Sequence, residues 1–304
     1  MEIKPIAFVF PGQGSQVVGM GKGLYNNFAI AKQVFERVND ALHYKLSNII
    51  FDGEISELNK TNHSQPAIMT VSMAYFEVIK QLGLIDLANV KFMAGHSLGE
   101  YSALCAAESL SLEDTAQLLK LRGEYMMEAC NEKKGLMSAI IGLGFEEVSK
   151  IALLNGCSVG NSNSPAQIVI SGGKDEVEKA SAQALQKGAK RAIPLSVSGA
   201  FHSPLMQSAA DKMEQVLNDA KIMMPKIKVI GNMTAQPYES ITQIKDLLRE
   251  QITHTVKWQE SINYMLRNGV ASFVEVGFGN ILSGLIKKIS PEAETKTSDE
   301  IINN

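Results

Sequence analysis

Cysteine is scarce in this 304-residue chain, and Cys105, Cys130 and Cys157 are odd in number, widely spaced and set among apolar neighbours. That usage excludes a disulfide-stapled scaffold and offers no zinc-ligand spacing, so reduced, buried thiols and no metal site are expected. An excess of charge is missing as well. The formal net charge of −3 provides no global basic field that would favour nucleic acid or an anionic membrane. No run of about 18 apolar residues occurs, and the N-terminus lacks a basic stretch leading into an apolar one. These absences predict a soluble, cytoplasmic protein without a membrane span. No internal repeat is evident. What remains, 45% hydrophobic and 20% charged residues over 304 positions, suits one large domain carrying a smaller one.

Residues 95–104 read Gly-His-Ser-Leu-Gly-Glu-Tyr-Ser-Ala-Leu, a Gly-x-Ser-x-Gly pattern with Ser97 at its tip. The apolar run Val90–Ala94 precedes it and the helix-forming run Glu100–Glu108 follows. A nucleophile elbow needs that strand–turn–helix context. The glycines allow the sharp turn, and the serine is presented where unpaired N–H groups and the helix dipole favour negative charge. Acyl-transfer chemistry is the reading.

Ile6–Phe10 ends at Pro11-Gly12 and suits a buried parallel strand. Helical and strand patterns then alternate to about Cys130, which predicts an α/β fold with a parallel, helix-covered sheet. From Leu136 to Leu195 the pattern becomes β-α-β-β-α-β, the ferredoxin-like order. The expected organisation is a large α/β-hydrolase-like domain over 1–131 and 197–304, with an inserted ferredoxin-like subdomain over 132–196. The tail 291–304 is polar and without periodicity, and is expected to be mobile.

A serine hydroxyl needs a base within hydrogen-bond reach. His43 and His63 lie in polar stretches and read as surface residues, while His96 neighbours Ser97 in sequence, where adjacent side chains diverge. His202, in a glycine-containing loop that feeds an amphipathic helix, leads His254 as the base; either also suits a helix cap or the core. Pro11-Gly12-Gln13-Gly14-Ser15-Gln16 reads as a tight turn or as a loop of backbone donors for an oxyanion. It is no dinucleotide loop, because Val17 stands where the third glycine would be. Arg122, in a helix otherwise rich in apolar residues, reads on its own as a solvated charge, and Gln251 and Asn232 are equally ambiguous.

Taken together these segments identify a family. Gly12-Gln13-Gly14-Ser15-Gln16, Gln65-Pro66-Ala67, Gly95-His96-Ser97-Leu98-Gly99-Glu100, Arg122-Gly123, Asn161-Ser162-Asn163-Ser164-Pro165, Gly199-Ala200-Phe201-His202-Ser203-Pro204, Gln251 with Val256-Lys257-Trp258, and Glu275-Val276-Gly277 occur in one chain. Over about residues 5–290 the chain resembles malonyl-CoA:acyl-carrier-protein transacylases. The resemblance implies that Ser97 carries the acyl group, that His202 is its base, and that the Gln251 backbone carbonyl orients that base. It implies an oxyanion hole from the backbone N–H groups of Gln13 and Leu98. Arg122 would grip the malonyl carboxylate, with His96 and Phe201 also at the substrate, and Phe201 and Leu98 are of the kind that goes with malonyl over methylmalonyl. A planar guanidinium fork suits a carboxylate and leaves acetyl unmatched.

The implied reaction is ping-pong: malonyl-CoA acylates Ser97, and the phosphopantetheine thiol of an acyl carrier protein removes the malonyl group. No cofactor would be bound permanently, and the protein would act as a monomer. Carrier proteins are acidic, so Lys133-Lys134, Lys190-Arg191 and Lys287-Lys288 are candidate docking pairs. The alternatives are an acyl-carrier hydrolase of the same fold, which has no need of Arg122, and a catalytically idle carrier-docking subunit. Fatty-acid and trans-acting polyketide enzymes share all these residues, and residues 161–172 and 232–237 lean toward the polyketide type.

Overall fold

The apolar run Ile6–Phe10 forms strand β1 at the centre of a parallel sheet, with Ala7, Phe8, Val9 and Phe10 wholly buried. The structure, a computed structural model, describes residues 5–303. Val90–Gly95 is β2; the second, antiparallel sheet holds β3 (Gly135–Ile141), β4 (Ser158–Ser164), β5 (Gln167–Gly173) and β6 (Arg191–Pro194). The chain then returns to the first sheet with β7 (Lys228–Ile230), β8 (Ser272–Glu275) and β9 (Glu294–Thr297).

The first sheet runs β7-β2-β1-β8-β9, every neighbouring pair parallel. Helices cover both faces of it, which is why its central strand β1 is apolar throughout rather than alternating. The second sheet has the order β4-β5-β3-β6, the arrangement of a ferredoxin-like unit. Helices Phe145–Leu154 and Lys174–Gln186 lie on it, and Val148, Ile151, Val177 and Ala180 close a separate small core there. The α/β class and the inserted ferredoxin-like unit are thus features of the fold.

The segment expected to be a mobile tail, 291–304, holds regular secondary structure over residues 294–303. Glu294–Thr297 pairs with β8, and a helix follows over Ser298–Asn303. Ser298 is fully buried; its hydroxyl donates to the Glu275 carbonyl (2.8 Å) and accepts from the Gly277 N–H (3.0 Å). The Tyr75 hydroxyl donates to Asp299 at 2.7 Å. Long-range pairing supplies the order that the local sequence does not encode.

All three cysteines are free and buried, and burial pushes each thiol upward, to about 12 for Cys105 and about 11 for Cys130 and Cys157. Among the described residues no helix is long and apolar enough to cross a membrane.

Candidate active site

The turn after β2 places Ser97 in a left-handed conformation, φ 53°, which costs a non-glycine residue about 1–2 kcal/mol. Two glycines make this turn possible. A Cβ on Gly95 would lie 1.9 Å from the Gly99 carbonyl, and one on Gly99 would lie 2.2 Å from the Phe10 carbonyl oxygen. Helix Gly99–Ala106 then starts directly behind the serine, with every residue buried.

His202, also at positive φ (57°), brings its Nε2 to 2.9 Å from the Ser97 Oγ. Its Nδ1 lies 2.7 Å from the Gln251 carbonyl oxygen, so the Nδ1–H donates there and Nε2 is left to accept the serine proton. Burial, and secondly the charge of Arg122, push the His202 imidazole down to about 3, so the neutral base is strongly favoured. His254 is exposed instead, its Nδ1 against the Glu250 carbonyl oxygen (2.9 Å).

Arg122 is 1% exposed, which overturns its reading as a solvated charge. Its Nη1 donates to the Gln65 Oε1 (2.7 Å), and its Nη2 donates to the Gln251 Oε1 (2.7 Å) and to the Ser97 Oγ (3.2 Å). The Nε–H is buried without a partner. The guanidinium is therefore held directly by neutral oxygens and carries its positive charge beside the nucleophile. The ring of Tyr101 lies 5.7 Å beneath it.

Gln13 and Leu98 both line the cavity with Ser97, and no acceptor among the described residues takes the backbone N–H of either. His96 lines the same cavity, its Nε2 2.8 Å from the Asn163 Oδ1 and its ring beside Trp258.

These groups open into a cavity of about 190 Å³ between the two sheets. The turn after β1 and the elbow form one wall. The other comes from β3, β4 and β5 through Met137, Asn163 and Val169, and Phe201 closes the side next to His202. His202 and Arg122 meet at Ser97, whereas Met126, Met137, Val169 and Leu195 give much of the remaining lining an apolar character.

Two residues that matter here, Glu100 and Asn232, have no role assigned from the sequence. Glu100, 1% exposed, accepts from the Asn232 N–H (3.1 Å), the Gln251 Nε2 (2.5 Å) and the Tyr238 hydroxyl. Burial pushes its carboxyl up to about 7, against the pull of those hydrogen bonds and of Arg122. Asn232 accepts from the Ser97 N–H (2.8 Å) and donates to the Gly95 carbonyl (2.7 Å), so it staples the elbow. One signal was available: Glu100 is a lone charge at the head of an otherwise apolar helical run.

The acyl transferase domain family matches this sequence over residues 7–302. A malonyl CoA-acyl carrier protein transacylase of Bacillus subtilis is 44% identical over 295 residues, covering 95% of this chain and 92% of the relative. A second protein of that organism, a polyketide biosynthesis malonyl CoA-acyl carrier protein transacylase, is 41% identical over 294 residues, with 95% and 98% covered. Among solved structures, an acyl-carrier-protein S-malonyltransferase from Bartonella henselae superposes with a TM-score of 0.95 at 45% identity, covering 98% of each chain.

Proposed function

The chain belongs to the acyl transferase domain family, and from that membership we propose that it transfers malonyl groups from malonyl-CoA to the phosphopantetheine thiol of an acyl carrier protein, in fatty-acid or polyketide synthesis. The observation that carries the reading is a buried arginine, held by neutral oxygens, in hydrogen-bond contact with an elbow serine that already has its base. A hydrolase or an idle docking subunit has no use for that arginine.

In the proposed reaction the malonyl carboxylate takes the free side of the Arg122 fork, which fixes the thioester carbonyl over Ser97. His202 accepts the Ser97 proton at Nε2 as Oγ attacks that carbonyl. Negative charge gathers on the carbonyl oxygen, toward the unpartnered N–H groups of Gln13 and Leu98. The carbon–sulfur bond then breaks, and the coenzyme A sulfur leaves with the proton held on His202. The carrier thiol reverses these steps: it gives its proton to His202 and attacks the ester carbonyl, the bond to the Ser97 Oγ breaks as that oxygen takes the proton back from His202, and the carrier departs as the malonyl thioester. The Gln251 carbonyl holds the imidazole in one tautomer throughout, and Phe201 bounds the acyl pocket beside it.

No step needs a resident cofactor or metal, and every group invoked comes from one chain, which supports action as a monomer. The 41% identity to a polyketide-pathway relative stands beside 44% to one whose name specifies no pathway, so the polyketide assignment rests on residues 161–172 and 232–237.

Intact-mass spectrometry after mixing with malonyl-CoA tests the reading. One malonyl adduct is expected, absent in Ser97→Ala, and a phosphopantetheinylated carrier should discharge it as malonyl-carrier rather than as free malonate. No adduct, or one that survives Ser97→Ala, overturns the assignment.

A further inference from the structure

The Glu100 carboxylate touches neither Ser97 nor His202, yet it is tied to both functional arms of the site through the Gln251 side chain. The Gln251 amide stands between two unlike sets of partners. Its Nε2 faces only acceptors: the Glu100 Oε2 (2.5 Å), the Ser97 carbonyl oxygen (2.9 Å) and the Asn232 Oδ1 (3.4 Å). Its Oε1 faces a donor, the Arg122 Nη2, at 2.7 Å. A reversed amide would set its NH₂ against the guanidinium and its oxygen against a carboxylate and two carbonyl oxygens. The orientation is therefore enforced by charge at both ends.

Glu100 is itself locked. Tyr238 and the Asn232 N–H both donate to its Oε1, leaving Oε2 for Gln251. All three partners donate, so the network suits a carboxylate, whereas a glutamine at this position would present its NH₂ to a donor. The negative end of this chain points, through the amide dipole, at the nitrogen of Arg122 nearest the nucleophile.

We infer that Glu100 is a positioning residue for substrate selection: acting through the Gln251 side chain, it fixes the Arg122 fork where a dicarboxylic acyl group can use it. The inference rests on the malonyl-transfer reading above. It also divides Gln251 in two, with its backbone carbonyl serving His202 and its side chain serving Arg122.

The test compares loading of the full-length protein by malonyl-CoA and by acetyl-CoA, read as kcat and KM for each by intact-mass kinetics. Glu100→Gln should lower kcat/KM for malonyl loading by about tenfold or more, chiefly through KM. Acetyl loading, which has no carboxylate to place, should change far less, so the malonyl-to-acetyl ratio collapses. Should Glu100→Gln not fold, Gln251→Met serves in its place, because it keeps the backbone carbonyl for His202 and removes the bridge; it should lower the same ratio. In the double variant the two effects should not add, since both break one path. Equal losses on both acyl groups, or additive effects, overturn the inference and leave Glu100 a purely structural residue. A wild-type protein that does not load malonyl at all would instead overturn the functional reading, so the two failures are distinct.

Discussion

The Arg122 Nη2 stands 3.2 Å from the Ser97 Oγ, which is itself 2.9 Å from the His202 Nε2. The group proposed to read the substrate thus contacts the nucleophile before any substrate arrives. A positive charge at that point favours a serine alkoxide and opposes an imidazolium. His202 reflects this: burial is the larger cause of its lowered pKa and Arg122 the second. A malonyl carboxylate on Arg122 would offset the second cause and raise the proton affinity of the base while substrate is bound.

The His202 ring resonances followed by NMR against pH should accordingly show no titration between pH 5 and 8 in the free protein. Arg122→Ala, or addition of malonate to the unmodified protein, should move the midpoint upward. A midpoint near 6.5 in the free protein, or one indifferent to both changes, counts against the account. The same shift affects stability. His202 is neutral when folded and takes a proton at ordinary pH only when unfolded, so its contribution is fully present above about pH 6.5. It is lost as pH falls toward 3, by at most about 5 kcal/mol. His202→Gln should flatten that part of a urea-unfolding pH series.

Arg122→Ala should reduce malonyl loading by roughly 100-fold and acetyl loading much less, in a competition between the two thioesters. It also leaves the Gln65 and Gln251 side-chain oxygens without their donor, so unfolding should shift downward by about 1–3 kcal/mol. Arg122→Lys should recover little, because one ammonium cannot span oxygens on opposite sides of the fork and still meet a carboxylate. Unchanged malonyl preference in either variant would assign the carboxylate to another residue.

The elbow permits a stability prediction. Gly95→Ala and Gly99→Ala would each force a Cβ against backbone, which has no flexible end to yield. Either should cost about 4 kcal/mol or more, read as a large fall in thermal midpoint or as failure to accumulate folded protein. Wild-type stability in Gly95→Ala would mean that the turn has room the structure does not show.

The contrast between the elbow and the C-terminal segment explains what the sequence could reveal. An elbow is local: strand, glycines, serine and helix lie within about 20 residues, and each imposes its own backbone demand. The strand Glu294–Thr297 carries no apolar alternation, and its order comes from pairing with β8 and from the buried Ser298 hydroxyl. Glu100 was hidden for the same reason. Its partners Asn232, Tyr238 and Gln251 are 132, 138 and 151 residues away, and a single sequence contains no term for that distance. Arg122 illustrates the middle case: its role came with the family resemblance, whereas its burial and its contact with Ser97 follow only from the packing of its helix against the elbow.

Of the three basic pairs, Lys287-Lys288 has the most direct tie to the cavity. Both lysines are exposed at the end of helix Ile281–Ile289, whose Leu282 and Leu285 line the cavity wall. Lys288 donates to the Gln167 Oε1 at 3.1 Å, and Gln167 also lines the cavity. Lys287 donates to the Pro291 carbonyl at 3.3 Å. An acidic carrier approaching the opening would meet these ammonium groups while its pantetheine thiol reached inward. Charges on a docking rim act mainly on association rate and on its salt dependence. Reversing both, Lys287→Glu with Lys288→Glu, should lower the carrier-dependent rate roughly tenfold at low salt while leaving acylation by malonyl-CoA unchanged. The deficit should shrink as ionic strength rises, because screening removes the attraction from the unmodified protein and the repulsion from the variant alike. The Lys190-Arg191 and Lys133-Lys134 reversals, with no such tie, should have smaller effects. Stopped-flow transfer to the carrier, measured against loading in the same preparation, distinguishes the pairs; carrier kinetics indifferent to the Lys287-Lys288 reversal would place the docking surface elsewhere.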